Sequence, residues 1–286
     1  MQSPQLGFGP EDRLLIVNCD DLGSSHSANV AAFRAMTYGV ATSASLMVPC
    51  PWAAEAARMF EGLPVGVHLT LTSEHAGYRW RSLTGAASLH DAGGFLPATT
   101  ALALAQQNLD EVRAECRAQV DAALAWGVDV THIDTHMDVL HASEALFAIY
   151  LNLAAEIGVP VRLPLSSAFP ARELAAAQGV LSVDHLIYTW PRPTRDVMFE
   201  TCPTLPCGVT ELFAHPVLDG EELRGYDLHN ADIRIHDAAA LVDPSVAAML
   251  DAQGVRRISY RELRALQRIV TPPRHPRTTS RFPSSA

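Results

Sequence analysis

Short apolar runs alternate with helix-patterned stretches from Leu14 to Leu266, and this alternation narrows the fold more than any other feature. Residues 14–18, 43–48, 64–71, 128–134, 159–163, 210–214 and 256–259 read as buried strands. Residues 26–38, 52–60, 108–126, 142–157, 237–252 and 260–266 read as helices; in 108–126 the apolar positions Leu109, Val112, Cys116, Val120 and Leu124 fall at helical spacing. Strands that alternate with helices belong to parallel βα units, because a parallel pair needs a crossover and the helix supplies it. About seven units predict an α/β fold, a distorted or incomplete (β/α) barrel in a single domain, with a doubly wound open sheet as the alternative. Two stretches break the pattern and read as binding loops or lids: 72–100, rich in Gly, Ser and Thr, and 169–208, which mixes a helix with Pro-rich loop. The domain is expected over residues 1–270, and residues 271–286, rich in Pro and without apolar period, as a disordered tail.

Composition removes several function classes. Hydrophobic residues make up 48% and charged residues 18%, which excludes a disordered or collagen-like chain. All 21 basic residues are Arg, so Schiff-base chemistry, a Walker-loop lysine and a lysine general base are absent. A net charge of −10 argues against nucleic-acid binding through phosphate attraction. No run is long and apolar enough to suggest a membrane span, the N-terminal segment does not read as a signal peptide, and the five Cys lack CxxC spacing. A cytoplasmic, reducing setting is expected, with a homodimer left open.

The chemistry should lie where the strands end, since ligand sites in parallel α/β folds form at the carboxyl ends of strands. Five predicted strands end in chemically capable residues: Asp20 and Asp21; His68; His132, Asp134 and His136; Arg162; and His215. Adjacent carboxylates just past a strand suit a helix cap or an Asx turn; they also allow one to ligate a metal while the other stays free as a base. A lone histidine such as His68 within an apolar run is more often a hydrogen-bonded core or rim residue than a ligand. His132, Asp134 and His136 are different, because period-two alternation puts all three on one face of an extended strand. Burying two imidazoles and a carboxylate is costly unless they pair or ligate, and a His/His/Asp set suits Zn²⁺ or another divalent metal with open positions.

The strings IVNCDDLG, TSASLMV, GVHLTLT, THIDTH, GVPVRLP and ELFAHP, in this order over most of residues 14–268, resemble the YdjC-like carbohydrate deacetylase family, which includes chitooligosaccharide deacetylases. The resemblance implies a distorted (β/α) barrel and hydrolysis of an N-acetyl group from an acetylated amino sugar or oligosaccharide. It also implies one divalent metal ion, Mg or Zn, held by Asp21, His68 and His136. Asp20 would be the general base, Arg162 would orient it, and His215 would be the general acid, with His132 and Asp134 in secondary roles. The chain departs from the family pattern at Cys19 and Leu22, and at Met137 and Asp138, where the family is commonly His-rich. Tyr78, Trp80 and Trp190, in the irregular stretches, would offer faces for a sugar ring or pack the lid. Competing readings are a metal-dependent hydrolase of a phosphoester or cyclic amide, and a non-catalytic sugar-binding protein on the same barrel.

Overall fold

β1, Arg13–Leu22, is the axis of the molecule, with Leu14 to Val17 fully buried. A segment enclosed on both faces must be apolar throughout, and Leu-Leu-Ile-Val meets that demand. The computed structural model describes residues 3–273. The other strands are β2 Ser43–Leu46, β3 Val65–Leu69, β4 Ile133–Thr135, β5 His185–Tyr188, β6 Gly208–Ala214 and the short β7 Arg256–Arg257. The sheet runs β4-β3-β2-β1-β6-β5, with β7 beside the first part of β1, and every pairing is parallel. The curled six-strand path makes a single-domain α/β half-barrel. Two isolated parallel bridges, Ile133 to Val161 and Val161 to Ser182, reach from β4 toward the start of β5 and bring it close to a distorted barrel.

The outer helices start where polar side chains satisfy their first N–H groups. Ser25 caps His26–Tyr38, Asn108 caps Leu109–Ala125 and Ser143 caps Glu144–Ile157, each accepting from backbone N–H. Their apolar faces join the strands in one large core that includes Val17, Leu69, Val112, Val120, Ile133, Phe147 and Leu212. The register across β3 and β4 sets His68 opposite Asp134, and β1 pairs along β6 from Arg13 with Gly208 to Cys19 with Ala214.

Four elements differ from the sequence reading. The helix expected over 237–252 is two, Ala231–Leu241 and Pro244–Ala252. Pro244 has no N–H to continue the first helix but suits the first turn of the second, capped by Asp243. The strand expected over 159–163 is reduced to the bridges of Val161. Residues 169–208, read as one helix mixed with Pro-rich loop, hold two helices, Ala171–Ala177 and Thr194–Thr201, and also strand β5, whose side chains are only half-buried. The strand of 128–134 shortens to β4, after which His136–His141 turns in a segment broken by the left-handed Met137 and Asp138. Residues 274–286, most of the expected tail, lie outside the described residues; Thr271 donates its hydroxyl to the carbonyl of Gly179 at 2.9 Å. Among the described residues no helix is long and apolar enough to cross a membrane.

Candidate active site

A cavity of about 380 Å³ opens at the carboxyl ends of the strands. Its lining includes Asp20, Asp21, His68, His136, Arg162 and His215, so residues from five separated motifs meet in one place. His132 and Asp134 are not among the lining residues; they lie in the wall beneath.

Two adjacent carboxylates reach the cavity because β1 is irregular there. The pairing with β2 shifts register between Cys19 and Leu22, and Asp21 adopts a left-handed φ of 60°. A regular strand would send successive side chains to opposite faces; the bulge turns both inward. A left-handed non-glycine residue is strained by roughly 1–3 kcal/mol, a cost that recurs at functional sites.

Asp20 and Asp21 differ in their partners. Arg162 grips Asp20 with two hydrogen bonds, Nη1 to Oδ2 at 2.7 Å and Nη2 to Oδ1 at 2.8 Å, and Asn18 donates to Oδ1 at 2.8 Å. Arg162 also donates to Glu211 and packs on the Phe213 ring, 4.1 Å from its centroid. Tyr260 donates to the second oxygen of Glu211, which fixes that carboxylate in turn. Asp21 uses Oδ2 to accept from Arg234 Nη1 at 2.9 Å. Its Oδ1 is buried, makes no well-directed hydrogen bond, and lies 3.2 Å from His136 Nδ1 and 3.6 Å from His68 Nε2.

Asp21, His68 and His136 therefore aim one ligand atom each at a common point, all within 4.8 Å of one another. An orphaned carboxylate oxygen between two imidazole nitrogens fits a divalent cation, because a buried polar atom left without a partner is costly. The charge balance agrees: Asp20, Asp21, Glu74 and Asp138 face the cavity against Arg162 and Arg234, so four carboxylates meet two guanidiniums. Burial works against a charged His136, yet Glu74 and Asp21 beside it raise its pKa to about 10. The acidic surroundings that hold a proton there also attract a metal ion. A second trio, Asp20, His68 and Asp134, comes equally close. Its carboxylates are already engaged: Asp134 accepts from Ser45 at 2.8 Å and from His68 Nδ1 at 2.8 Å.

His132 is a core residue. Its ring stacks on Tyr260 with centroids 3.8 Å apart, and a Cβ on Gly66 would come within 2.4 Å of it, so only glycine fits opposite. Burial pushes its pKa down to about 4. His215 sits just past β6, its backbone N–H donating to Asp237 Oδ2 at 2.9 Å and its ring edge-on to Trp190. Its Nδ1 is buried without a hydrogen bond, and burial lowers its pKa, favouring the neutral ring.

Sequence reasoning missed Glu74, Glu211, Arg234 and Asp237. None lies at a strand end within a motif, and each acts through a partner distant in the chain. Both cavity-lining arginines are held by carboxylates: Arg234 pairs with Asp21 and Asp227, Arg162 with Asp20, Asp134 and Glu211. Of the three aromatics proposed for sugar stacking, Trp190 lines the cavity. Trp80 is buried and donates to Thr72, and Tyr78 donates to the Ser24 carbonyl, so both pack the 72–100 loop.

A half-barrel of parallel strands with a buried carboxylate and two imidazoles at its mouth defines a class of α/β proteins whose strand-end side chains could hold a metal ion. Residues 14–252 match the model of the YdjC-like protein family, and the chain belongs to that family. It is 30% identical over 254 residues to a carbohydrate deacetylase of Geobacillus stearothermophilus, covering 87% of this chain and 98% of that one. It is also 30% identical over 262 residues to carbohydrate deacetylase 1 of Listeria innocua, covering 87% and 99%. The crystal structure of a candidate cellobiose-phosphate cleavage protein from Enterococcus faecalis superimposes with a TM-score of 0.79 at 24% identity, over 88% of this chain and 99% of that one, and supports the fold.

Proposed function

We propose that the protein is a metal-dependent deacetylase that removes the N-acetyl group from an acetylated amino sugar or oligosaccharide. The observation that carries this reading is Asp21 Oδ1, buried between His68 Nε2 and His136 Nδ1 with no hydrogen bond to satisfy it, beside a second carboxylate held by Arg162. Asp21, His68 and His136 would hold one divalent ion. Bound there, it supplies Lewis acidity to the amide carbonyl and to the attacking water.

The remaining steps fall to the chain's own residues. Asp20 accepts the proton of the attacking water. Arg162 keeps the Asp20 carboxylate in one orientation through two hydrogen bonds, so no reorganisation is needed as the proton moves. His215 gives a proton to the departing amine. Its buried ring is neutral at rest, so it first takes up that proton, from the protonated Asp20 or from solvent in the open cavity, and the negative charge developing on the acyl oxygen favours this uptake. Met137, Tyr188, Trp190 and Phe213 make the less polar wall of the cavity, suited to the acetyl methyl and one face of a sugar ring. Because both cavity arginines are saturated by carboxylates, a phosphoester is disfavoured as substrate.

The test is acetate release from a panel of N-acetylated mono- and oligosaccharides, run beside phosphoesters and cyclic amides. Acetate from the sugars alone supports the reading. Phosphate or ring-opened product without acetate overturns it.

A further inference from the structure

Each residue of the Asp21, His68 and His136 trio points one atom at the common centre and gives its other polar atom to a charged partner. Asp21 Oδ2 accepts from Arg234, and His68 Nδ1 pairs with Asp134 Oδ1 at 2.8 Å. His136 Nε2 lies 3.1 Å from Glu74 Oε2, while its Nδ1 lies 3.2 Å from Asp21 Oδ1 and 3.3 Å from His68 Nε2. Arg234 and Asp134 are buried, but Glu74 retains 22% side-chain exposure and lines the cavity itself. It is steadied from behind by His75, whose Nε2 is 3.5 Å from Oε1 and whose ring packs against Tyr226 and Trp80.

We infer that Glu74 is a positioning residue that selects the tautomer and ring orientation of His136 for metal binding; this rests on the metal site proposed above. The reasoning is geometric. An imidazole presents a lone pair on one nitrogen only when the other carries the proton, and its ring can flip to face a site with carbon instead. A carboxylate that accepts from Nε2–H settles both choices and leaves the Nδ1 lone pair aimed at Asp21 and His68. The carboxylate also makes the ligating nitrogen more basic, which strengthens the bond to a cation. Neutral glutamine at the same position offers an amide that can turn its NH₂ toward Nε2, favouring the opposite tautomer.

The experiment is a competition titration of Zn²⁺ with a chromophoric chelator on the full chain, comparing wild type, Glu74→Gln and Asp138→Asn. Thermal melting of the metal-free proteins shows whether each variant is folded. Asp138 is the control, because it is a cavity carboxylate whose contacts are to Tyr188 and His141, outside the trio. Glu74→Gln should weaken Zn²⁺ about 10–100-fold, the usual effect of losing a carboxylate behind a histidine ligand, and Asp138→Asn by about threefold or less. In the zinc-loaded wild type, nitrogen-15 spectra should show His136 protonated at Nε2, a signal that Glu74→Gln weakens or shifts. Unchanged affinity in Glu74→Gln overturns the inference, as does equal weakening in both variants, which would assign the effect to cavity charge. Failure of wild type to bind Zn²⁺ at this site would instead remove the metal reading itself. If Glu74→Gln does not fold, Glu74→Asp takes its place: it retains the charge but shortens the reach, and unchanged affinity there would likewise overturn the inference.

Discussion

Replacing His132 by Phe isolates one titrating group in the barrel wall. His132 is fully buried and stacked on Tyr260, and Phe retains an aromatic ring in that place while removing the proton site. In the unfolded chain the imidazole titrates near 6.5; in the fold, burial lowers this to about 4, with Asp134 opposing the shift and Arg162 adding to it. Between those values the unfolded chain binds more protons than the folded one, so stability rises with pH across the window and is lost as pH falls from 6.5 toward 4. The whole shift corresponds to about 3 kcal/mol, and roughly 2 kcal/mol of it disappears between about pH 7.5 and about pH 5. Phe also removes the hydrogen bond between Thr131 and His132 and adds bulk opposite Gly66, but that offset does not depend on pH. The assay is urea unfolding of both proteins at the two pH values. Wild type should lose roughly 2 kcal/mol more than His132→Phe on acidification. Equal pH dependence in the two proteins would mean that His132 titrates normally in the fold, and the description of it as a buried neutral core residue would fail.

The remaining expectations concern the cavity. His68→Ala and His136→Ala should each lose bound metal in elemental analysis of dialysed protein, because each removes one of three aimed ligand atoms; full stoichiometry in both would reassign the site. Asp20→Asn should keep its metal while steady-state acetate release falls by ~10²–10⁴-fold, since it removes the proton acceptor and leaves the trio intact. His215→Ala should retain metal and lower kcat far more than KM on an amide, with a smaller loss on an activated acetyl ester whose leaving group needs no proton. Equal losses on both substrates would make His215 a packing residue against Trp190 and Phe213.

Much of this arrangement was legible in the chain because strand ends carry it. Apolar runs that stop at Asp20, His68, Arg162 or His215 place those residues at one end of a parallel sheet, and all four line one cavity. The period-two reading of His132, Asp134 and His136 is silent on depth: His132 is in the wall, Asp134 braces His68, and of the three only His136 lines the cavity. That difference comes from β4 ending at Thr135 and from the left-handed Met137 and Asp138 that follow, at φ 51° and 54°, which no residue pattern announces. The bulge at Asp21 was equally invisible, since neither residue of the pair is a glycine. Glu74 and Arg234 escaped notice because a lone charged residue reads as solvated surface until a distant partner is known, and Glu211, inside the apolar run 210–214, because nothing in that run points to Arg162 as its partner. β5 was hidden by its half-exposed side chains and by the prolines around it, Pro191 and Pro193 among them.

The central claim is that one divalent ion at Asp21, His68 and His136 makes this cavity an amide-hydrolysing site. The most direct measurement strips the protein of metal, restores Zn²⁺ or Mg²⁺ in fractions of an equivalent, and follows acetate release from an N-acetylated chitooligosaccharide at each step. The account predicts no release without metal, a linear rise to one equivalent and a plateau beyond it. Full activity in the stripped protein, or no acetate at any loading, would contradict it.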